Sequence, residues 1–114
     1  MSRIDPDAIA DPRARGQRLL DLVEILRERR EDLARRKVAR LWIFGSVARG
    51  EERQDSDVDI IVEFEPGSRI SLTAFARLQL DLTDWLGRAA DLAEWSTLRP
   101  HITEGAKNDA VSVF

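Results

Sequence analysis

The sequence predicts an α+β domain in which a small mixed β-sheet carries helices packed on one face. Helix-like and strand-like apolar patterns alternate along the chain, the two strongest strand segments are joined through a glycine-serine turn, and 114 residues suffice for one core but not for two. Residues 1–114 are therefore read as a single domain. Residues 1–15 are its loose lead-in, because Pro6, Pro12 and several aspartates interrupt any regular pattern.

The elements follow in order. Over residues 17 to about 36, Leu19, Leu22, Val23, Leu26 and Leu33 fall near a 3.6-residue stripe, with charges around the remainder, which predicts one amphipathic helix. Residues 38–44 are almost continuously apolar, as in a central strand covered on at least one face, and Gly45 ends the run. Residues 58–64 form the second strand, terminated by the turn chemistry of Glu65-Pro66-Gly67. Leu72, Phe75, Leu78, Leu82, Trp85 and Leu86 recur at helical spacing, with Ser71 as the cap at the start and Gly87 at the end. Residues 89–95 read as a short strand, 97–107 as a last helix with Pro100 in its first turn, and 110–114 as an apolar tail.

Composition narrows the function. A chain that is 43% hydrophobic and 34% charged is globular rather than disordered. The absence of cysteine excludes disulfides and thiolate metal sites. A polar, proline-broken start is not a signal peptide, and no apolar run approaches the ~20 residues of a membrane span, so the expected location is the cytoplasm. With 18 basic against 21 acidic residues the formal charge is -3, which argues against direct nucleic-acid binding. Arg27, Arg29, Arg30, Arg35, Arg36 and Lys37 do cluster. Glu28, Glu31 and Asp32 interleave with them, however, and Arg27 to Glu31 has ion-pair spacing, so the cluster reads as a solvated helix face.

The chemistry concentrates between the first two strands. Residues two apart on a strand project to one side, so Asp57 and Asp59 present two carboxylates to one face, roughly 6 to 7 Å apart at the backbone. Val58, Ile60 and Val62 point the other way, into the core. A pair of hard oxygen donors with no basic residue beside them in the strand suits Mg²⁺ held jointly with substrate phosphates. The preceding Gly45-Ser46 turn complements the pair: Gly45 allows close backbone approach, Ser46 offers a hydroxyl, and the following residues begin a short helix whose free N–H groups face an anion.

Gly45-Ser46-Val47-Ala48-Arg49-Gly50, five spacer residues and then Ser56-Asp57-Val58-Asp59-Ile60 resemble the signature of the minimal nucleotidyltransferases. This family belongs to the DNA polymerase beta-like superfamily, and many of its members are antitoxins encoded beside a HEPN-domain toxin. The resemblance implies Mg²⁺-dependent transfer of a nucleoside monophosphate, usually AMP from ATP, to a hydroxyl with release of pyrophosphate. It places Gly45 and Ser46 on the triphosphate and Asp57 and Asp59 on two Mg²⁺ ions. A third family carboxylate on a later strand matches Asp91 in Gly87-Arg88-Ala89-Ala90-Asp91-Leu92-Ala93, although alanines stand where branched residues are usual.

Around these residues several assignments stay open. Arg49 contacts phosphate or pairs with Asp55 or Glu52, and Ser56 shapes the turn into the strand among the nucleotide-binding residues. Glu63 shares the parity of Asp57 and Asp59 and is a rival third acid, or else a solvated strand end. Asp81 and Asp84 read as surface charges, and His101 as a surface histidine. Trp42, Trp85 and Trp95 are spaced for core packing, with stacking on adenine as the alternative for one near the site. The resemblance implies adenylylation of a tyrosine on a partner HEPN ribonuclease, in an oligomer formed with that partner. The alternatives are an antitoxin that acts by binding alone and a transferase for a small molecule.

Overall fold

The computed structural model describes residues 17–49, 57–97 and 110–114. In chain order the elements are α1 (Gln17–Glu28), α2 (Arg30–Arg35), β1 (Val38–Phe44), α3 (Gly45–Arg49), β2 (Val58–Phe64), α4 (Leu72–Leu86), β3 (Ala90–Glu94), a 3₁₀ turn (Trp95–Thr97) and β4 (Val111–Ser112). The strands make one four-stranded sheet in the order β3-β2-β1-β4. Strand β1 runs antiparallel to both β2 and β4, while β2 and β3 are parallel, so the sheet is mixed as expected. The lead-in over 1–15 and nearly all of the helix expected over 97–107 lie outside the described residues, and Thr97 itself closes the 3₁₀ turn.

One face of the sheet builds the core. Leu41 and Ile43 of β1 stand opposite Val62 and Ile60 of β2, Leu92 of β3 aligns with Ile60, and all are buried with Leu26, Leu33, Leu78 and Leu82 from the helices. Each such branched side chain contributes roughly 2 kcal/mol of burial. Strand β1 keeps its apolar residues on this face by an irregularity: Val38 pairs with Phe64 but Arg40 with Glu63, so Ala39 is the extra residue of a bulge and the parity switches there. Helix α4 is bounded as expected, with Ser71 Oγ accepting the Ala74 N–H at 3.0 Å and Gly87 at φ 72° closing the other end.

Three expectations need correction. The helix expected over residues 17–36 is two helices, broken at Arg29, whose N–H turns back to the Leu26 carbonyl at 3.0 Å. Between Leu26 and Leu33 the positions that would continue the apolar stripe, 29 and 30, carry exposed arginines, so no apolar contact holds one straight helix down. Asp81 is buried rather than a surface charge: it accepts from Arg36 Nη2 at 2.7 Å and faces Arg77 Nε at 3.3 Å. Nor is the arginine cluster simply a solvated face. Arg36 also donates to Asp32 at 2.9 Å, Arg29 and Arg36 lie over the Trp85 ring at 5.0 and 5.5 Å, and Arg30 lies over Phe114 at 5.1 Å. Arg27 donates to the Val113 carbonyl at 2.7 Å, leaving Glu31 to pair with Arg35 at 3.7 Å. Burial lowers the Arg36 pKa, but the hydrogen bonds to Asp81 and Asp32 reverse this, and the net displacement is upward. These contacts tie α1 and α2 to α4 and to the end of the chain.

The expected apolar tail is partly a strand, since Val113 N–H bonds the Leu41 carbonyl at 2.8 Å and its side chain is in the core. At the opposite edge, α4 covers β3. Thr83 Oγ1 accepts the Ala90 N–H at 3.1 Å and Gln79 Oε1 accepts the Leu92 N–H at 3.0 Å, so two outward amides of an edge strand are satisfied by one helix. Gln79→Ala leaves the Leu92 amide without its partner and is expected to cost about 1–2 kcal/mol in equilibrium urea unfolding. Gln79→Glu retains an acceptor and should cost less; equal losses for the two variants would refute the edge-cap role.

Candidate active site

Phe44 ends β1 opposite Asp59, and Asp59 is in register with Asp91 on β3. Residues paired in this way share a face, so Phe44, Asp59 and Asp91 form a row across the face away from the core. Asp57 stands one residue before β2, with the same parity as Asp59. Asp57 and Asp91 are exposed and Asp59 is half-buried. Val58, Ile60 and Val62 are fully buried on the other face, so a one-residue slip would drive the carboxylates into the core.

The turn after β1 is fitted to this row. Gly45 has φ 77°, the left-handed region that glycine enters without steric cost, and a Cβ built there would collide with Oδ2 of Asp59 and stand 3.3 Å from its Cγ. Glycine is thus required twice, by backbone conformation and by the Asp59 carboxylate packed against it. Val47, fully buried, and Ala48 anchor α3 to the core from below. Ser46 and Arg49 are placed on α3 by their backbone, and Ser56 lies outside the described residues.

Among the described residues no three His, Cys, Asp or Glu side chains gather closely enough to hold a metal ion by themselves. Asp57 and Asp59 could hold an ion only jointly with a bound substrate. Asp57 and Asp59 offer hard oxygens beside a turn that admits close approach, and Mg²⁺ is commonly held by one or two carboxylates, with water and substrate phosphates completing the shell. Glu63 is separated from this arrangement. It lies on the same face but four residues along β2, about 13 Å at the strand rise, and it stands 3.9 Å from Arg40 Nε. The register therefore brings Asp91, not Glu63, beside Asp59.

The next row on the same face is aromatic, and sequence spacing does not reveal it. Trp42 is opposite Ile61, and Ile61 is in register with Ala93. Trp95, in the 3₁₀ turn after β3, folds back so that its ring centroid is 5.0 Å from that of Trp42 at an interplanar angle of 31°. The pair spans β2 and roofs Ile61, which is fully buried although it lies outside the main core. Trp85, by contrast, packs against that core on the helix side. The signal available in the sequence was an apolar residue, Ile61, at a position whose parity neighbours are acidic.

A family model described as a nucleotidyltransferase domain matches residues 22–113. The chain belongs to the nucleotidyltransferase domain family. Its members catalyse nucleotidyl transfer, and this chain is an enzyme of that class. It is 36% identical over 96 residues to the protein adenylyltransferase MntA of Thermococcus cleftensis, covering 83% of this chain and 95% of that protein. It is likewise 36% identical over 95 residues to a Methanocaldococcus jannaschii protein provisionally named protein adenylyltransferase MJ0435, covering 83% of this chain and all of the relative, 100%. A solved structure described as a candidate minimal nucleotidyltransferase superposes with a TM-score of 0.62 at 42% identity, covering 78% of this chain and 93% of its own. The fold is also that of an MNT antitoxin solved in complex with a tri-AMPylated Shewanella oneidensis HEPN toxin. That match has a TM-score of 0.61 at 17% identity and covers 86% of this chain and 72% of the other.

Gly45→Ala tests the fitted turn. The variant must move Asp59 as well as strain residue 45, so it is expected to lose about 1–3 kcal/mol of stability. Nucleotide affinity should fall at least tenfold at a temperature where the variant remains folded, measured by calorimetric titration. Wild-type affinity in a folded Gly45→Ala protein would contradict the role given to this contact.

Proposed function

We propose that this nucleotidyltransferase moves AMP from ATP to a hydroxyl of a partner protein in the cytoplasm, and that the partner is a HEPN-type ribonuclease toxin which the modification silences. The observation that carries the reading is the register of Asp59 with Asp91 beside the Gly45 turn. Nucleotide-binding and acceptor-activating groups are then adjacent on one rigid sheet. The acceptor class is supported by the protein adenylyltransferase name of the Thermococcus relative, of which this chain covers 95%, and by the shared fold with the AMPylated toxin complex. The nucleotide is supported by a further structural neighbour, a toxin–antitoxin solved with AMP-PNP, at a TM-score of 0.63 and 20% identity.

In this reading Gly45 and the N–H groups that follow it receive the triphosphate, with Ser46, Arg49 and Ser56 as its further ligands. Asp57, Asp59 and Asp91 would hold two Mg²⁺ ions, which when bound with the nucleotide would offset negative charge on the phosphoryl oxygens. Asp91, exposed at the edge strand, activates the attacking hydroxyl, by taking its proton directly or by holding the second ion. The hydroxyl oxygen bonds to the α-phosphorus, the bond from that phosphorus to the bridging oxygen breaks, and pyrophosphate departs. The rigidity of β2 and β3 fixes the distance between the two acid functions before substrate arrives.

Separate substitutions distinguish these roles. Mg²⁺ with ATP should raise the melting temperature further than ATP alone, because the cation relieves repulsion between Asp57 and Asp59, and the Asp57→Asn, Asp59→Asn double variant should lose that gain while staying folded. Asp91→Asn should reduce transfer by about 10²-fold or more while nucleotide binding persists, whereas Glu63→Gln should stay within a few-fold of wild type. Intact-mass spectrometry of the chain mixed with its cognate HEPN protein and ATP reads the product: one adenylate per event, together with loss of ribonuclease activity. A toxin inhibited at stoichiometric ratio with no mass shift would instead establish an antitoxin that acts by binding.

A further inference from the structure

Helix α4 presses one apolar stripe into the core and carries a second that no described residue covers. Leu78, Leu82 and Leu86 are buried against the sheet. On the side turned away from them Leu80 is 57% exposed and Leu72 85%, and the other exposed large hydrophobic residue among those described is Leu20 of α1. Ala76 is exposed one turn before Leu80, and at about 100° per residue these two lie almost opposite the buried stripe. The outer surface of α4 holds just two ionised side chains, Arg77 and Asp84, because Asp81 is turned inward to Arg36. Arg77 faces Asp81 through its Nε, and Asp84 has no ion-pair partner among the described residues.

We propose that this surface is a dimer interface, formed by α4 packing antiparallel against α4 of a second copy of the chain about a two-fold axis beside Leu80. The charge pattern selects both the occupant and its direction. Arg77 and Asp84 stand seven residues apart, roughly 10 Å along the helix, with Leu80 near the midpoint. A two-fold axis at that midpoint sets Arg77 against Asp84 of the second copy and Asp84 against its Arg77, so one sequence supplies both halves of two ion pairs. A parallel pairing in register would instead oppose arginine to arginine and aspartate to aspartate. On the axis the two Leu80 side chains meet, and Ala76 and Thr83, a turn to either side, are small enough for the helices to close on that contact. Leu72 then reaches the turn that follows α4 of the second copy, where Ala89 is exposed.

The interface is small. A contact along one helix falls below the ~1,200 Å² of a standard interface and its ion pairs are exposed to solvent, so the expected dissociation constant is about 1–100 µM. Helix α4 packs on the face of the sheet opposite Asp59 and Asp91, so the dimer leaves both acid rows turned outward. Each copy can therefore receive nucleotide and an acceptor protein while the pair stays joined. The inference stands or falls separately from the chemistry of the site.

Sedimentation velocity of the full chain between about 5 and 500 µM should show a monomer that becomes a dimer as concentration rises. Leu80→Asp, at an exposed position, should keep the melting temperature and stay monomeric throughout, whereas Leu20→Asp, at the exposed leucine of α1, should dimerise as wild type does. Asp84→Arg should weaken association about tenfold or more, because it sets two arginines against each other. The chain has no cysteine, so introduced thiols report the register. Oxidised Leu80→Cys should cross-link to a dimer, and Leu72→Cys, whose two copies would stand about 25 Å apart along the helices, should not. A wild type that stays monomeric over the whole range would overturn the proposal, as would a dimer that persists unweakened in Leu80→Asp or Asp84→Arg. Equal cross-linking from residues 72 and 80 would overturn the two-fold arrangement. A monomeric wild type whose binding to a HEPN-type protein is lost in Leu80→Asp would assign the surface to that protein instead.

Discussion

Asp59 packs against the backbone of Gly45 because β1 and β2 pair antiparallel with Phe44 opposite Asp59, and that register leaves no room for a Cβ at residue 45. The position of every other group at the site depends on this contact. It sets the turn from which α3 starts, and the parallel register of β2 with β3 then stands Asp91 beside Asp59. The register is held from beneath by Val58, Ile60 and Val62, which have no alternative apolar environment. Burial on one face of β2 thereby positions the acids on the other.

The two faces divide the tasks. On the helix face the core is reinforced by an arginine network: Asp81 between Arg36 and Arg77, Trp85 beneath Arg29 and Arg36, and the Val113 carbonyl on Arg27. The opposite face carries the acid row and the Trp42–Trp95 roof over Ile61. Among the described residues no helix is long and apolar enough to cross a membrane. The helices instead spend their apolar stripes on the sheet, and α4 spends two polar side chains, Gln79 and Thr83, on its edge.

What could be read from the sequence follows from how local each signal is. Strand parity in residues 57–62 needs only near neighbours, and the burial of Val58, Ile60 and Val62 agrees with it. The Ser71 and Gly87 caps are likewise local and are found as expected. What escaped depends on partners far along the chain. Asp81 looks like any helical surface acid until Arg36, 45 residues away in sequence, is brought against it. The short strand after residue 110 is defined by pairing with β1, and its two residues carry too little pattern to declare it. The Trp42–Trp95 contact crosses β2 and requires the register of three strands to be known first. Alternation along β2 gives Glu63 the parity of Asp59, and the family resemblance points to Asp91; the pairing with β3 is what stands Asp91 beside Asp59.

The central claim, that the register around Gly45 and Asp59 creates one shared site for metal and phosphate, is tested most directly by paramagnetic broadening. Mn²⁺ added with a non-hydrolysable nucleoside triphosphate to ¹⁵N-labelled protein should broaden the amides of Gly45, Asp59 and Asp91 first. Glu63 should be affected less, and α4 (Leu72–Leu86) should be spared. Broadening centred on Glu63 and Arg40, or on the helix side near Arg36 and Arg77, would place the ion elsewhere and contradict the account.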